Sequence, residues 1–179
     1  SILKMGYSGV VIGAASLKDM NYLEKLSPQM PVVLINRQSD TLSTVCSDSK
    51  MIGLMAARTI RQKGYTEASV FASHSIYVAS SQRTQAFLDA CSQIGIHVLP
   101  DAVFHSNGTI EDGYRLAQEY CQSTERPKVI FCDFDSIALG ALRGFHDLGV
   151  SIPEDVELLS IGMLSSSLTA YSYPSLSVI

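Results

Sequence analysis

Short apolar runs, each followed by a helical stretch, recur along the chain. Gly9-Val10-Val11-Ile12-Gly13, Val32-Val33-Leu34-Ile35 and residues 68–72, 128–132 and 156–161 are too short for helices and are largely apolar at successive positions rather than alternate ones. A strand with that pattern is buried on both faces, the condition of a parallel sheet covered by helices on each side. Between the runs lie helical patterns over 17–26, 48–63, 77–94, 109–121 and 135–148. Gly64, Gly95 and Gly149 stand where these helices should stop. Asp48 or Ser49, and further on Asp135, are candidate N-caps, and Thr109 with Asp112 has capping-box spacing. Shorter strands are expected at 42–47 and 102–104. The fold class is α/β, with parallel sheets flanked by helices.

Composition narrows the function. The 179 residues carry a net charge of −4 with no cluster of Lys and Arg, so this stretch lacks the basic face that grips nucleic-acid phosphates. Cys46, Cys91, Cys121 and Cys132 are far apart and read as free buried thiols of a cytosolic protein. No apolar run reaches the roughly 18 residues of a membrane span. His74, His97, His105 and His146 have no metal-ligand spacing, and neither a metal nor a cofactor is expected. The dinucleotide, P-loop, zinc-protease and nucleophile-elbow motifs are all missing. Ser1 to Met5 reads as the tail of a helix and Leu176 to Ile179 as a strand, so the chain is expected to be part of a longer one.

In open parallel sheets ligands bind beyond the carboxyl ends of the strands. That rule selects residues 13–16, Asn36-Arg37, and residues 73–77, 105–108, 133–136 and 162–165. These loops are polar, with Tyr77 and Phe134 as apolar faces, the mix a small-molecule pocket needs. One enzyme motif competes. Residues 129–135 form an apolar strand followed by Asp133-Phe134-Asp135, which resembles the nucleophile of a Mg²⁺-dependent phosphatase. That motif normally lies on the first strand with further acidic residues downstream; here it comes late, and the simpler expectation is that Asp135 caps a helix and Asp133 lies in a loop.

Four stretches resemble the effector-binding domain of the LacI/GalR family of bacterial transcription regulators. They are Pro31-Val32-Val33-Leu34-Ile35-Asn36-Arg37; Asp48 to Gly53 with Ala56-Ala57 and Gly64-Tyr65; Arg83 with Phe87; and Ile130-Phe131-Cys132 with Asp135, Ala138-Leu139-Gly140-Ala141-Leu142, Gly149 and Ile152-Pro153-Glu154-Asp155-Val156. The last is the longest and most diagnostic. The resemblance implies a two-lobed periplasmic-binding-protein-like fold of type I. Residues 1–47 would be part of an incomplete N-terminal lobe and 48–179 the C-terminal lobe. The family's N-terminal helix-turn-helix DNA-binding domain is absent from this sequence. It further implies a cytoplasmic homodimer, not an enzyme, in which a small sugar or sugar-like effector alters operator binding allosterically. The helix over 138–148 is implied at the dimer interface, where Leu142, Phe145 and Leu148 either supply apolar contact or, for at least two of them, face the sheet.

The resemblance also implies the ligand contacts. Arg83 is the first, because a guanidinium fork suits paired hydroxyls or a carboxylate. Asn36, Arg37, Tyr77, Ser75, Asn107 and Ser16 follow on the same cleft. The sequence departs from sugar-binding members in three places. Phe134 stands where many have asparagine, Leu164 where they usually have aspartate, and Gly108 near a stacking aromatic. Phe134 would then replace the missing aromatic platform, with Arg83 taking the ligand's polar or anionic end. A transporter's solute-binding protein on the same fold is the alternative, and the phosphatase the third.

Overall fold

The computed structural model describes residues 2–13, 17–73, 78–162 and 172–179. The chain forms two compact units, one built from residues up to Asp48 and the other almost wholly from Ser49 onward. Ser16, Ser75, Tyr77, His74 and Leu164 lie outside the described residues.

The first unit holds β1 (Val10–Gly13), α1 (Leu17–Leu26), β2 (Val32–Ile35) and β3 (Ser43–Val45), its strands parallel in the order β1-β2-β3. In α1, Met20, Leu23 and Leu26 recur every three residues and so share a face, and they pack with Met30, Val32, Leu34 and Leu42. Pleating sends the alternate set, Val11, Ile35 and Val45, to the opposite face, which is exposed.

In the second unit come α2 (Ser49–Gln62), β4 (Ser69–Ser73), α3 (Val78–Ile94), β5 (Val103–Ser106), α4 (Ile110–Gln122), β6 (Val129–Cys132), α5 (Asp135–Asp147), β7 (Glu157–Ser160) and β8 (Ser177–Val178). All pairings in the sheet are parallel, in the order β5-β4-β6-β7-β8. Alternation along each strand feeds two cores. Val70, Ala72, Phe131 and Leu159 meet Ala56, Ala57, Ile60, Phe87 and Ala90 of α2 and α3. Phe71, Ile130, Cys132 and Leu158 meet Leu116, Ala117, Ile137, Ala141 and Phe145 of α4 and α5. The rings of Phe87 and Phe131 stack at 4.3 Å in the first core, and Phe71 packs edge-on to Phe104 at 5.5 Å in the second. Helices α4 and α5 approach so closely that a Cβ on Gly140 would land on the Ile110 carbonyl, and one on Gly113 on that of Ile137.

Two expectations need correction. Asp135 does not cap α5; Phe134 occupies the cap position with no side-chain cap bond, and the Asp135 carboxylate accepts from the Ser136 N–H at 2.8 Å, one residue inside the helix. Cys46 is exposed; among the others, Cys91 and Cys132 are buried, and burial pushes the Cys91 thiol up to about 12 and that of Cys132 up as well, so these two are inert at neutral pH. Along α5, Leu142 and Phe145 are buried in the second core and Leu148 is exposed, so two of the three candidate interface residues face the sheet. The Thr109–Asp112 capping box is present with both reciprocal bonds.

Candidate functional site

The strand order places the site. From β4 the chain crosses to β5 on one side, then returns past β4 to β6 on the other, so the connections diverge between β4 and β6. Such a switch point leaves a crevice at the carboxyl ends of the two strands. The buried polar residues of the second unit gather there. Ser73, Ser106, Asp133, Asp135 and Ser160 end strands or follow them, Arg83 projects from the second turn of α3, and Ser69 alone lies at the other end of β4.

Asp133 is the centre of this cluster. It follows β6 directly, its N–H donates to the Phe71 carbonyl at 3.1 Å, and its side chain is fully buried. The carboxylate accepts the Ser73 N–H at 2.9 Å on both oxygens, the Ser73 hydroxyl at 3.0 Å and the Thr84 hydroxyl at 2.9 Å. It thus ties β4, β6 and α3 together. Burial raises the Asp133 carboxyl above the usual carboxylate range; the bonds from Ser73 and Thr84 and the charge of Arg83 offset this only in part.

Arg83 is next to Thr84 on α3 and only 4% exposed. Its guanidinium carbon lies 5.7 Å from the centre of the Phe134 ring, over the ring face, a cation–π distance. Burial lowers the guanidinium from its ordinary value, and the negative charges of Asp133 and Asp135 act against that. Residues 83–84 and 133–134 therefore meet at two points, hydroxyl to carboxylate and guanidinium to ring.

The loop after β5 closes one side. Ser106 donates to the Ala72 carbonyl at 3.2 Å and accepts from the Gly108 N–H at 3.2 Å. Gly108 has φ +87°, a backbone conformation that glycine adopts without the strain a side chain would bring. Its carbonyl takes a 2.6 Å bond from Ser136 at the start of α5. Asn107, a candidate from sequence, is exposed and gives its backbone N–H to Asp112 at 2.9 Å. Burial of Asp112 is outweighed by its bonds from Arg115, Asn107 and Thr109, and its carboxyl falls below the usual value.

The two candidates of the first unit that are among the described residues have other surroundings. Asn36 is exposed at the end of β2 with φ +54°, and its side-chain oxygen accepts from the N–H of Ser47 at 3.0 Å and from its hydroxyl at 3.3 Å. Asparagine tolerates that backbone because its short side chain bonds locally. Arg37 is buried.

Of the sequence candidates, the structure brings Arg83 and Phe134 together. Ser73 and Asp133 lie in the strand-end loops that the sequence selected but were not among its named ligand contacts, and Thr84 was passed over. The signal for the first two was an acid just past one strand and a serine at the end of another, but only the strand order makes them neighbours. As for phosphatase chemistry, a carboxylate nucleophile needs an oxygen open to the substrate, and both oxygens of Asp133 already face donors. Among the described residues no group of three or more His, Cys, Asp or Glu side chains is placed to hold a metal ion, and no helix is long and apolar enough to cross a membrane.

Residues 1–173 match the model of a family described as periplasmic binding proteins and sugar binding domain of the LacI family. Among curated proteins, the chain is 23% identical to the probable HTH-type transcriptional repressor ExuR of Bacillus subtilis (strain 168), over 100% of this chain and 54% of that protein. It is 26% identical to the HTH-type transcriptional repressor PurR of Vibrio cholerae, over 75% of this chain and 40% of the relative. The chain thus spans about half the length of the curated relatives it matches. Among solved structures, a LacI family transcription regulator from Clostridium acetobutylicum superposes with a TM-score of 0.88 at 30% identity, covering 95% of this chain and 63% of that one. The transcription regulator CcpA of Lactococcus lactis superposes at 0.79 with 24% identity, covering 98% and 64%.

Proposed function

The chain belongs to the family of periplasmic binding proteins and LacI-type sugar-binding domains, and from that premise we propose that it is the effector-binding part of a LacI-type bacterial transcription regulator. The relatives matched over most of its length are named as repressors, which favours a regulator over a transporter's solute-binding protein. The unit up to Asp48 is part of the N-terminal lobe and the unit from Ser49 is the C-terminal lobe. The effector is a small sugar or sugar-like molecule. Operator DNA is held by a helix-turn-helix domain of the full-length protein, which acts as a cytoplasmic homodimer and does no chemistry of its own.

The observation that carries this is the buried guanidinium of Arg83 at the β4–β6 switch point, set over Phe134 and beside Asp133. An arginine there offers donors in a fixed plane to a ligand arriving at the strand ends. Asn36, Arg37, Ser16, Ser75, Tyr77, Asn107 and Leu164 complete the candidate contacts. Effector binding biases the regulator between two states in proportion to its differential affinity for them, and so changes affinity for DNA.

The test is a thermal-shift screen of the full-length protein against sugars, sugar phosphates, nucleobases and nucleosides. A true effector binds the folded state only and raises the midpoint. It should also change retention of operator DNA, and Arg83→Met, compared against its own unliganded midpoint because it leaves Asp133 and Asp135 without their cation, should remove both effects. A ligand that shifts the midpoint and DNA binding equally well in Arg83→Met would refute the site.

A further inference from the structure

Two buried carboxylates share the surroundings of Arg83, and this bears on what the site accepts. Two acidic side chains, Asp133 and Asp135, are fully buried and act on a single buried guanidinium. Asp133 is held where it is by donors from two other elements, the N–H and hydroxyl of Ser73 and the hydroxyl of Thr84. Thr84 adjoins Arg83 and Phe134 adjoins Asp133, so the Thr84 bond and the Arg83–Phe134 contact fix acid and guanidinium on either side of one small region. A carboxylate that accepts bonds from a backbone N–H and two hydroxyls has no donors to offer and stays an acceptor.

We propose that Asp133 is the resident counter-ion of Arg83 and makes the site selective for an effector that presents an uncharged group, a hydroxyl or amide, to the guanidinium. This rests on the switch-point cluster being the effector site. An anionic ligand group at Arg83 would bring a third negative charge beside the two carboxylates that already act on this guanidinium, and in a buried setting that repulsion is weakly screened. A hydroxyl or amide instead accepts from the guanidinium without adding charge. The expectation from sequence alone, that Arg83 takes a polar or anionic end, is thereby narrowed to the polar one. Residue 133 becomes the position that sets ligand charge while residue 83 supplies the contact.

The experiment follows the Nε–Hε NMR resonance of Arg83 in the full-length protein at neutral pH and constant ionic strength, assigned by its loss in Arg83→Lys. The probe is inorganic phosphate, with D-galactose as the uncharged control for crowding of the site. In the native protein the resonance should not titrate with phosphate. In Asp133→Asn, which keeps an acceptor for the Ser73 N–H, it should move saturably, with phosphate affinity rising about tenfold or more, the scale on which one close charge shifts a neighbour's ionic equilibrium. Asp133→Ala serves as the second variant should the amide disturb packing. Saturable binding of phosphate at Arg83 in the native protein overturns the charge selection and leaves the effector site standing. No response to phosphate in the native protein or either variant also overturns the charge selection, while the effector site itself is judged separately by the thermal-shift screen with Arg83→Met.

Discussion

The two sheets of this chain are built on the same principle and finished differently. The five-stranded sheet of the second unit has helices on both faces, and β4 and β6 are buried along their whole length. The three-stranded sheet of the first has α1 on one face, while Val11 and Val45 on the other are 67% and 63% exposed. Parallel strands are apolar on both faces because they are normally covered on both. The runs Val10-Val11-Ile12 and Val32-Val33-Leu34-Ile35 therefore carry the composition of a doubly covered sheet, although only one side of it is covered within the described residues. The difference separates what local sequence specifies, a strand, from what packing specifies, the energy with which that strand is held.

The comparison is broken most severely at Gly140. An added methyl there meets the Ile110 carbonyl and the backbone of Tyr114, so α4 and α5 must separate. Overpacking of this kind costs about 3 kcal/mol or more when backbone has to move. Gly140→Ala should lower the unfolding free energy of the second unit in urea by that amount or leave it insoluble; a value close to native would show that the helix contact is looser than the structure has it. Leu34→Ala in the first unit comes next. Leu34 is fully buried against α1, and emptying such a site costs about 2–5 kcal/mol. We expect the low end, because a sheet open on one side collapses more readily than one clamped from both.

The sequence was most legible where burial is double and least where function lies. The strands β4, β6 and β7, the glycine stops at 64, 95 and 149 and the capping box at Thr109 follow from patterns a few residues long. Asp133 does not. Its meaning depends on Ser73, 60 residues earlier, and on Thr84, 49 residues earlier, and both become neighbours only through the β5-β4-β6 order. The mistaken cap at Asp135 has a local cause. Aspartate is a frequent cap, but here the extended backbone of Phe134, φ −147° and ψ 138°, takes the cap position one residue earlier. Arg83 and Phe134 were each legible as candidates; their contact was not, because a ring and a guanidinium carry no spacing signal across different elements.

A smaller effect should appear at the extremes of pH, in the second unit. Glu157 on β7 accepts from Lys63 at 2.6 Å and from the Tyr65 hydroxyl at 2.8 Å, linking the end of α2 to the sheet. Burial would raise Glu157, but the bonds from Lys63 and Tyr65 outweigh it and hold the carboxyl below its ordinary 4.5. Tyr65, partly buried and bonded to that carboxylate, is pushed up to about 12. A lowered acid stabilises the fold above its unfolded value and loses that contribution as pH falls through the folded one; a raised phenol does so below about 10 and loses it as pH climbs from there towards 12. Stability should therefore decline on both flanks. Glu157→Gln should flatten the acid limb and Tyr65→Phe the alkaline one, each at about 1 kcal/mol or less near neutrality because Lys63 is half exposed. A pH–stability profile unchanged in both variants would remove this link from the account.

The smallest effect tests the comparison most directly. Val11→Thr keeps the β-branched shape and exchanges one methyl for a hydroxyl on the uncovered face of the first sheet. With the side chain 67% exposed, that hydroxyl stays in water, so neither a buried polar group nor a cavity is created. Threonine suits a strand about as well as valine does. The change should lie within about 0.5 kcal/mol of zero in denaturant titration of the 179-residue chain, against the far larger loss from Leu34→Ala on the opposite face of the same sheet. The two substitutions thus read the two faces of one sheet separately. A cost above about 1 kcal/mol for Val11→Thr would mean that some further surface lies over this face in solution, since burying an unpaired hydroxyl is what costs on that scale. The contrast between a sheet covered twice and a sheet covered once would then give way to two sheets packed alike.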